Sequence, residues 1–231
     1  QTTLFRRAAD AIASGALDVA LVVGGEAKWR ELRATIVGAE LDDDLGEGEP
    51  DERLAPHGTI VTGDEVRAGL VTAVSQYSML ENAVRFAQGQ TLDEHAQTVA
   101  EMWSRFNDVA QRNPHAWNRA PMSADDIRTP SPKNRPLAFP YNKWHNSQWN
   151  VDQAACLVLC SVETARSLGV PEDGWVFPHA VVDSEHMVPV SQRRQLHRAP
   201  GFETAGRRAL ELAGIGIDDI AHVDLYSCFP V

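Results

Sequence analysis

Leu4-Phe-Arg-Arg-Ala-Ala-Asp-Ala-Ile-Ala-Ser-Gly15, with Asp18-Val-Ala-Leu-Val-Val-Gly24 just after it, is the stretch on which the fold turns. Residues 8–14 are rich in alanine, which favours helix, and Gly15 supplies the stop. The run at 18–24 carries valine and leucine without polar alternation, so it reads as a short strand buried on both faces. Helix, glycine and apolar strand in that order form the building block of a covered parallel or mixed sheet.

The unit recurs. Residues 154–160 form a second apolar run, leading into a helix over 162–168 that ends at Gly169 with Pro171 beyond. A third helix, 202–213, is stopped by Gly214 and followed by an expected strand at 221–226. The fold class is therefore α/β. No short repeat and no low-complexity segment is present.

Between the first two strands lies a long, mostly helical insertion. Thr91-Leu-Asp-Glu94 has the capping-box pattern, in which hydroxyl and carboxylate each satisfy a free backbone donor. From there Leu92, Ala96, Val99, Trp103, Phe106 and Ala110 recur at steps of four and three, predicting one apolar stripe on a long helix. Residues 64–88 read as another helix or pair ending at Gly89. Residues 113–150 are rich in proline and lack a period, yet hold Trp117, Trp144 and Trp149, which predicts a packed loop region.

The 231 residues, 43% hydrophobic and 23% charged, suit a folded globular chain and exclude disordered and collagen-like classes. Net charge is −11, but eight acids (Glu40, Asp42, Asp43, Asp44, Glu47, Glu49, Asp51 and Glu52) share one stretch without a base. The acidity thus belongs to one solvated, mobile loop. An acidic chain without a basic stripe argues against a nucleic-acid partner. The apolar runs are too short to span a bilayer, and no signal peptide is visible. Cys156 and Cys160 sit in an apolar run and read as core residues, and three cysteines imply no disulfide framework but a reducing compartment, so the expected location is cytoplasmic. No metal is expected: the histidines are scattered, and no Cys-x-x-Cys or His-Glu-x-x-His pair occurs.

The most suggestive motif is Val223-Asp-Leu-Tyr-Ser-Cys-Phe-Pro230. It brings Tyr226 and Cys228 to the carboxyl end of the expected strand, the place where α/β sheets gather ligands. A phenol and a thiol there are candidates for proton transfer or nucleophilic chemistry. Tyr77-Ser-Met-Leu-Glu-Asn82 offers Tyr77, Met79, Glu81 and Asn82 to a pocket, although Tyr77 and Met79 are of types that are commonly core. Arg128, Lys133, Arg135 and Lys143 form a modestly basic loop suited to phosphates. His145, beside Trp144, reads as structural.

Taken in order, these segments resemble the thiolase superfamily, specifically thiolase-like and sterol-carrier-protein-thiolase-like acetyl-CoA acetyltransferases. Residues 4–26, 77–82 with 92–112, 151–161 and 224–230 carry the likeness, the last most specifically. The resemblance implies a thiolase-like α/β fold with mixed sheets covered by helices. It places 1–63 and 151–172 in the N-terminal half, 64–150 in a helical loop domain, and 173–231 at the start of the C-terminal half. It implies an acyltransferase acting on acyl-CoA in lipid or sterol metabolism, with the coenzyme A thioester as substrate and no covalently bound cofactor. Tyr226 and Cys228 would be catalytic, in a cavity admitting a pantetheine arm, while Tyr77, Met79, Lys133 and Arg135 would bind substrate or coenzyme A. A retro-aldolase on a 3-hydroxyacyl-CoA and a silent CoA-binding or assembly subunit are the alternatives, and a homodimer or a partner subunit is implied. The family's nucleophilic cysteine would precede Gln1, and its Gly-His-Pro histidine would follow Val231, so an incomplete fragment is expected. Tyr226 stands where the family carries Asn or His.

Overall fold

The computed structural model describes residues 2–41, 48–55 and 57–231. Its chain divides into two compact units. One comprises Gln1–Ala55, Gln148–Glu185 and Pro200–His222; the other comprises Pro56–Ser147, His186–Ala199 and Val223–Val231.

In the first unit, α1 (Thr2–Ala13) ends at Gly15, whose φ of 73° is the left-handed turn that a side chain would resist. The chain then enters β1 (Val19–Ala27) and α2 (Lys28–Val37). β1 pairs antiparallel with β4 (Asp152–Cys160), in unbroken register from Val19 opposite Cys160 to Ala27 opposite Asp152. Asp152 also starts α2: its carboxylate accepts the backbone N–H groups of Trp29 and Arg30 at 3.0 and 3.1 Å. β4 leads into α7 (Val162–Ser167), and α8 (Pro200–Ala213) ends at Gly214 with φ of 69°.

Both expected apolar strands form, but their burial differs from the expectation. Leu21, Val23, Leu157 and Val158 are more than half exposed, and Cys156 is exposed with them. Two paired strands present two faces and two edges, and α1, which packs against them, leaves most of that surface open. The strand expected at 221–226 does not form. A strand exists only as one side of a ladder, and this segment has no ladder partner among the described residues. Of the acidic loop, 42–47 lie outside the described residues. Glu52 is not merely solvated, since both its oxygens take the Arg7 guanidinium at 2.8 and 2.6 Å.

The second unit is built from α3 (Gly63–Arg67), α4 (Ala73–Ala87), α5 (Leu92–Arg112) and α6 (Ala124–Arg128), with a small hairpin of β2 (Pro136–Ala138) and β3 (Tyr141–Asn142). The expected helix pair over 64–88 is therefore α3 and α4. α5 occupies the predicted span, and its capping box forms: Glu94 N–H donates to Thr91 Oγ1 at 3.2 Å and Thr91 N–H to the Glu94 carboxylate at 2.8 Å. Val99 is buried as expected, yet Phe106 and Leu92 are exposed while His95 and Ala100 are buried. His95 and Ala100 flank Val99 on either side of the stripe, so burial on α5 is concentrated between residues 95 and 100 and does not run the length of the stripe.

Glu65 closes the capping box of α3 and reaches a distant segment. Its carboxylate accepts N–H from Thr62 at 2.7 Å and from Ser191 at 2.6 Å. Gly58 lies against the same segment, where an added Cβ would stand 2.8 Å from the Met187 Cβ. The two backbone donors hold the Glu65 carboxyl below its ordinary value. This contribution to stability is therefore complete above the ordinary glutamate pKa of about 4.3 and is lost as pH falls through the depressed folded value. Glu65→Gln should lower the urea midpoint at pH 6, and its gap from wild type should narrow as pH approaches 3. A gap constant across that range would remove the carboxylate from the account.

Candidate active site

The sequence-selected groups Tyr226, Cys228, Tyr77, Met79, Lys133 and Arg135 all lie in the second unit. Tyr77-Ser-Met-Leu-Glu-Asn82 is on α4, whose N-terminus is capped by Thr72. On this helix Glu81 and Ser78 are buried, and Tyr77 and Met79 are half-buried.

Glu81 is the centre of a buried polar network. One of its oxygens lies 2.6 Å from His95 Nε2, and the other accepts the Tyr141 hydroxyl at 2.7 Å. His95 Nδ1 stands 2.7 Å from Gln90 Oε1. The Tyr141 hydroxyl also reaches the Tyr77 carbonyl at 3.3 Å. Burial, first of all, and then the charge of Glu81 raise the Tyr141 pKa, so its phenol remains a donor.

Above that network lies an aromatic clamp. Phe229, 6% exposed, stacks on Tyr77 with ring centroids 4.4 Å apart and meets Tyr141 at 5.3 Å. The backbone beside it is fixed as well. Ser147 N–H donates to the Cys228 carbonyl at 3.1 Å, and Ser227 Oγ donates to the Val231 carbonyl at 2.9 Å.

Tyr226 and Cys228 flank this anchor. The Tyr226 hydroxyl and Cys228 Sγ are 3.1 Å apart, and either can donate to the other. The phenol is 83% exposed and the thiol half-buried, so the pair stands open to solvent, not inside the enclosed cavity that the sequence led us to expect. The hydrogen bond to Cys228, with the charges Cys228 and Tyr77 bear when ionised, holds the Tyr226 pKa above its ordinary value. At neutral pH the phenol keeps its proton and acts as a donor rather than a base.

Lys133 and Arg135 are exposed on either side of Asn134, which is fully buried. The Asn134 amide donates to the carbonyls of Ile127, Thr129 and Asp126 at 2.8, 3.1 and 3.2 Å, and its oxygen accepts Trp144 N–H at 2.9 Å. Arg128, grouped with these cations by sequence, is instead bound to Asp93 and Gln97 of α5. His145 is buried: its Nδ1 accepts Asn142 N–H at 2.9 Å, and desolvation lowers its pKa to about 4. It is neutral at physiological pH, in keeping with the structural role read for it. Trp117 and Trp149 are exposed, so polar side chains rather than tryptophans fasten the irregular segment. Sequence reasoning named Glu81 only as a candidate pocket residue and passed over Asn134 and His95. Ser131-Pro-Lys-Asn134 was a readable signal, since proline in second place marks a turn, and Asn134 N–H does bond the Ser131 carbonyl at 3.0 Å.

Among the described residues no group of three or more histidine, cysteine or acidic side chains could hold a metal ion, and no helix is long and apolar enough to cross a membrane. No family model matches the chain, and no curated protein matches it. Solved structures do. A monomeric SCP2-thiolase like protein type 1 from Mycobacterium smegmatis aligns with 99% of the chain at 30% identity and a TM-score of 0.73. The fold is thiolase-like. The Ltp2-ChsH2(DUF35) aldolase also aligns, over 95% of the chain, at 18% identity and a TM-score of 0.59, and this likeness bears on fold alone. The chain spans 43% of the length of the first structure and 50% of the second.

Asn134→Ala should leave buried carbonyls without a donor and destabilise the protein by about 3 kcal/mol. Lys133→Ala and Arg135→Ala should each cost about 0.5 kcal/mol or less. Equal denaturant midpoints for all three variants would refute the assignment of the loop's shape to Asn134.

Proposed function

We propose that this chain belongs to an acyl-CoA-processing, thiolase-like acyltransferase of the acetyl-CoA acetyltransferase type, acting in lipid or sterol metabolism. The observation that carries the reading is the Tyr226–Cys228 pair, a protonated phenol and a thiol 3.1 Å apart on a backbone anchored by Phe229. The thiolase-like fold supports the substrate class.

Removing an α-proton from an acyl-CoA, or adding a nucleophile to its carbonyl, places negative charge on the thioester oxygen. A fixed neutral phenol stabilises that charge by donating a hydrogen bond, a role worth about 10²–10³ in rate. Tyr226 has that role, and the hydrogen bond it shares with Cys228 holds the phenol in place. Tyr77 and Met79 line the approach from α4. Lys133 and Arg135 meet the coenzyme phosphates as exposed cations on a stiff loop. The coenzyme A thioester is the substrate, and no resident cofactor is called for. The aldolase neighbour pairs Ltp2 with ChsH2, and by that likeness we assign a partner subunit. A cytoplasmic location accords with three cysteines among which no disulfide forms.

The full-length protein, incubated with acetoacetyl-CoA and coenzyme A, should form acetyl-CoA, and Tyr226→Phe should lower kcat about 100-fold. Unchanged turnover in that variant would remove the phenol's role. Cleavage of a 3-hydroxyacyl-CoA without any acyl transfer would overturn the acyltransferase reading.

A further inference from the structure

We infer that Glu81 and His95 are positioning residues for the Tyr226–Cys228 pair, acting through Tyr141 and Phe229. This rests on the reading of that pair as the reacting groups, and it names what holds them in place.

The chain of contacts is continuous. Gln90 faces His95 Nδ1 at 2.7 Å, His95 Nε2 faces Glu81 at 2.6 Å, and Glu81 receives the Tyr141 hydroxyl at 2.7 Å. Tyr141 and Tyr77 both touch the Phe229 ring, and Phe229 follows Cys228 directly in the chain. Glu81 and Tyr77 share α4, four residues apart, which is one helical turn. The carboxylate thereby ties Tyr141 to the helix that carries the other half of the clamp.

Packing alone does not call for a carboxylate and an imidazole in this place. Buried polar groups cost stability unless their hydrogen bonds are complete, and where they are complete they select one arrangement. Glu81 is 2% exposed and His95 4%. With the Tyr141 ring fixed, Phe229 has one seat. The Ser147 bond to the Cys228 carbonyl then leaves the tail little freedom, and the exposed phenol meets the thiol. Without this anchor, a tail whose phenol is so exposed would sample many rotamers.

The test is site-resolved alkylation of Cys228 by iodoacetamide between pH 6 and 10, read by mass spectrometry on the full-length protein. It needs no turnover. Tyr226→Phe calibrates the probe, because it deletes the partner of the thiol. Glu81→Ala and Tyr141→Phe should each reproduce that change, lowering the Cys228 rate at neutral pH roughly three- to tenfold, the size that loss of one donor to the sulfur implies. Glu81→Gln, which can still accept from Tyr141 and donate to His95, should restore the wild-type pH profile. Should Glu81→Ala fail to fold, Tyr141→Phe and Phe229→Leu carry the same expectation. Wild-type alkylation profiles in folded Tyr141→Phe and Phe229→Leu would overturn the inference. If acyl transfer is never seen but the profiles move as described, the positioning stands and the proposed reaction falls.

Discussion

A carboxylate taken out of water and answered on each oxygen governs the second unit. Glu81 draws in one hydroxyl and one imidazole from elements that are distant in sequence, Tyr141 on β3 and His95 on α5. An isolated charge there would be prohibitive, so the partners and the carboxylate are placed together or not at all. Because α4 also presents Tyr77, the same network seats Phe229 and, through it, the phenol and the thiol. The surface chemistry of the tail is thus set by interior electrostatics more than by local sequence.

The first unit rests on a different constraint. The β1–β4 register is unbroken over nine residues of each strand, and Asp152, the first residue of β4, caps α2. The pairing of two strands therefore also fixes the start of a helix. That ribbon leaves much apolar surface in solvent.

Elements whose signal is local were legible. Thr91 and Glu94 announced α5, and Gly15 and Gly214 closed helices where a left-handed residue was required. Both long strands declared themselves by apolar composition. What composition could not convey was the company each element keeps. The run at 221–226 looks like a strand, but strandedness is a property of a pair. The α5 stripe holds at Val99 but not at Leu92 or Phe106, which lie outside the stretch of the helix where His95, Val99 and Ala100 are buried. Trp117 and Trp149 looked like packing residues but stand exposed, while the buried Asn134 amide donates to three carbonyls; irregular backbone needs donors for its carbonyls more than it needs bulk. Of the candidate site, Tyr226 and Cys228 were readable as a motif. The network behind them was not, because its members are separated by up to 64 residues.

The Asn134 loop separates two properties that surface loops usually entangle. Its contour is dictated by one amide turned inward, and its charge by two neighbours turned outward. Natural variation can therefore rewrite the sign and density of charge at positions 133 and 135 while the backbone keeps its path. Over evolutionary time, such a segment is free to change what it attracts without the fold having to be renegotiated.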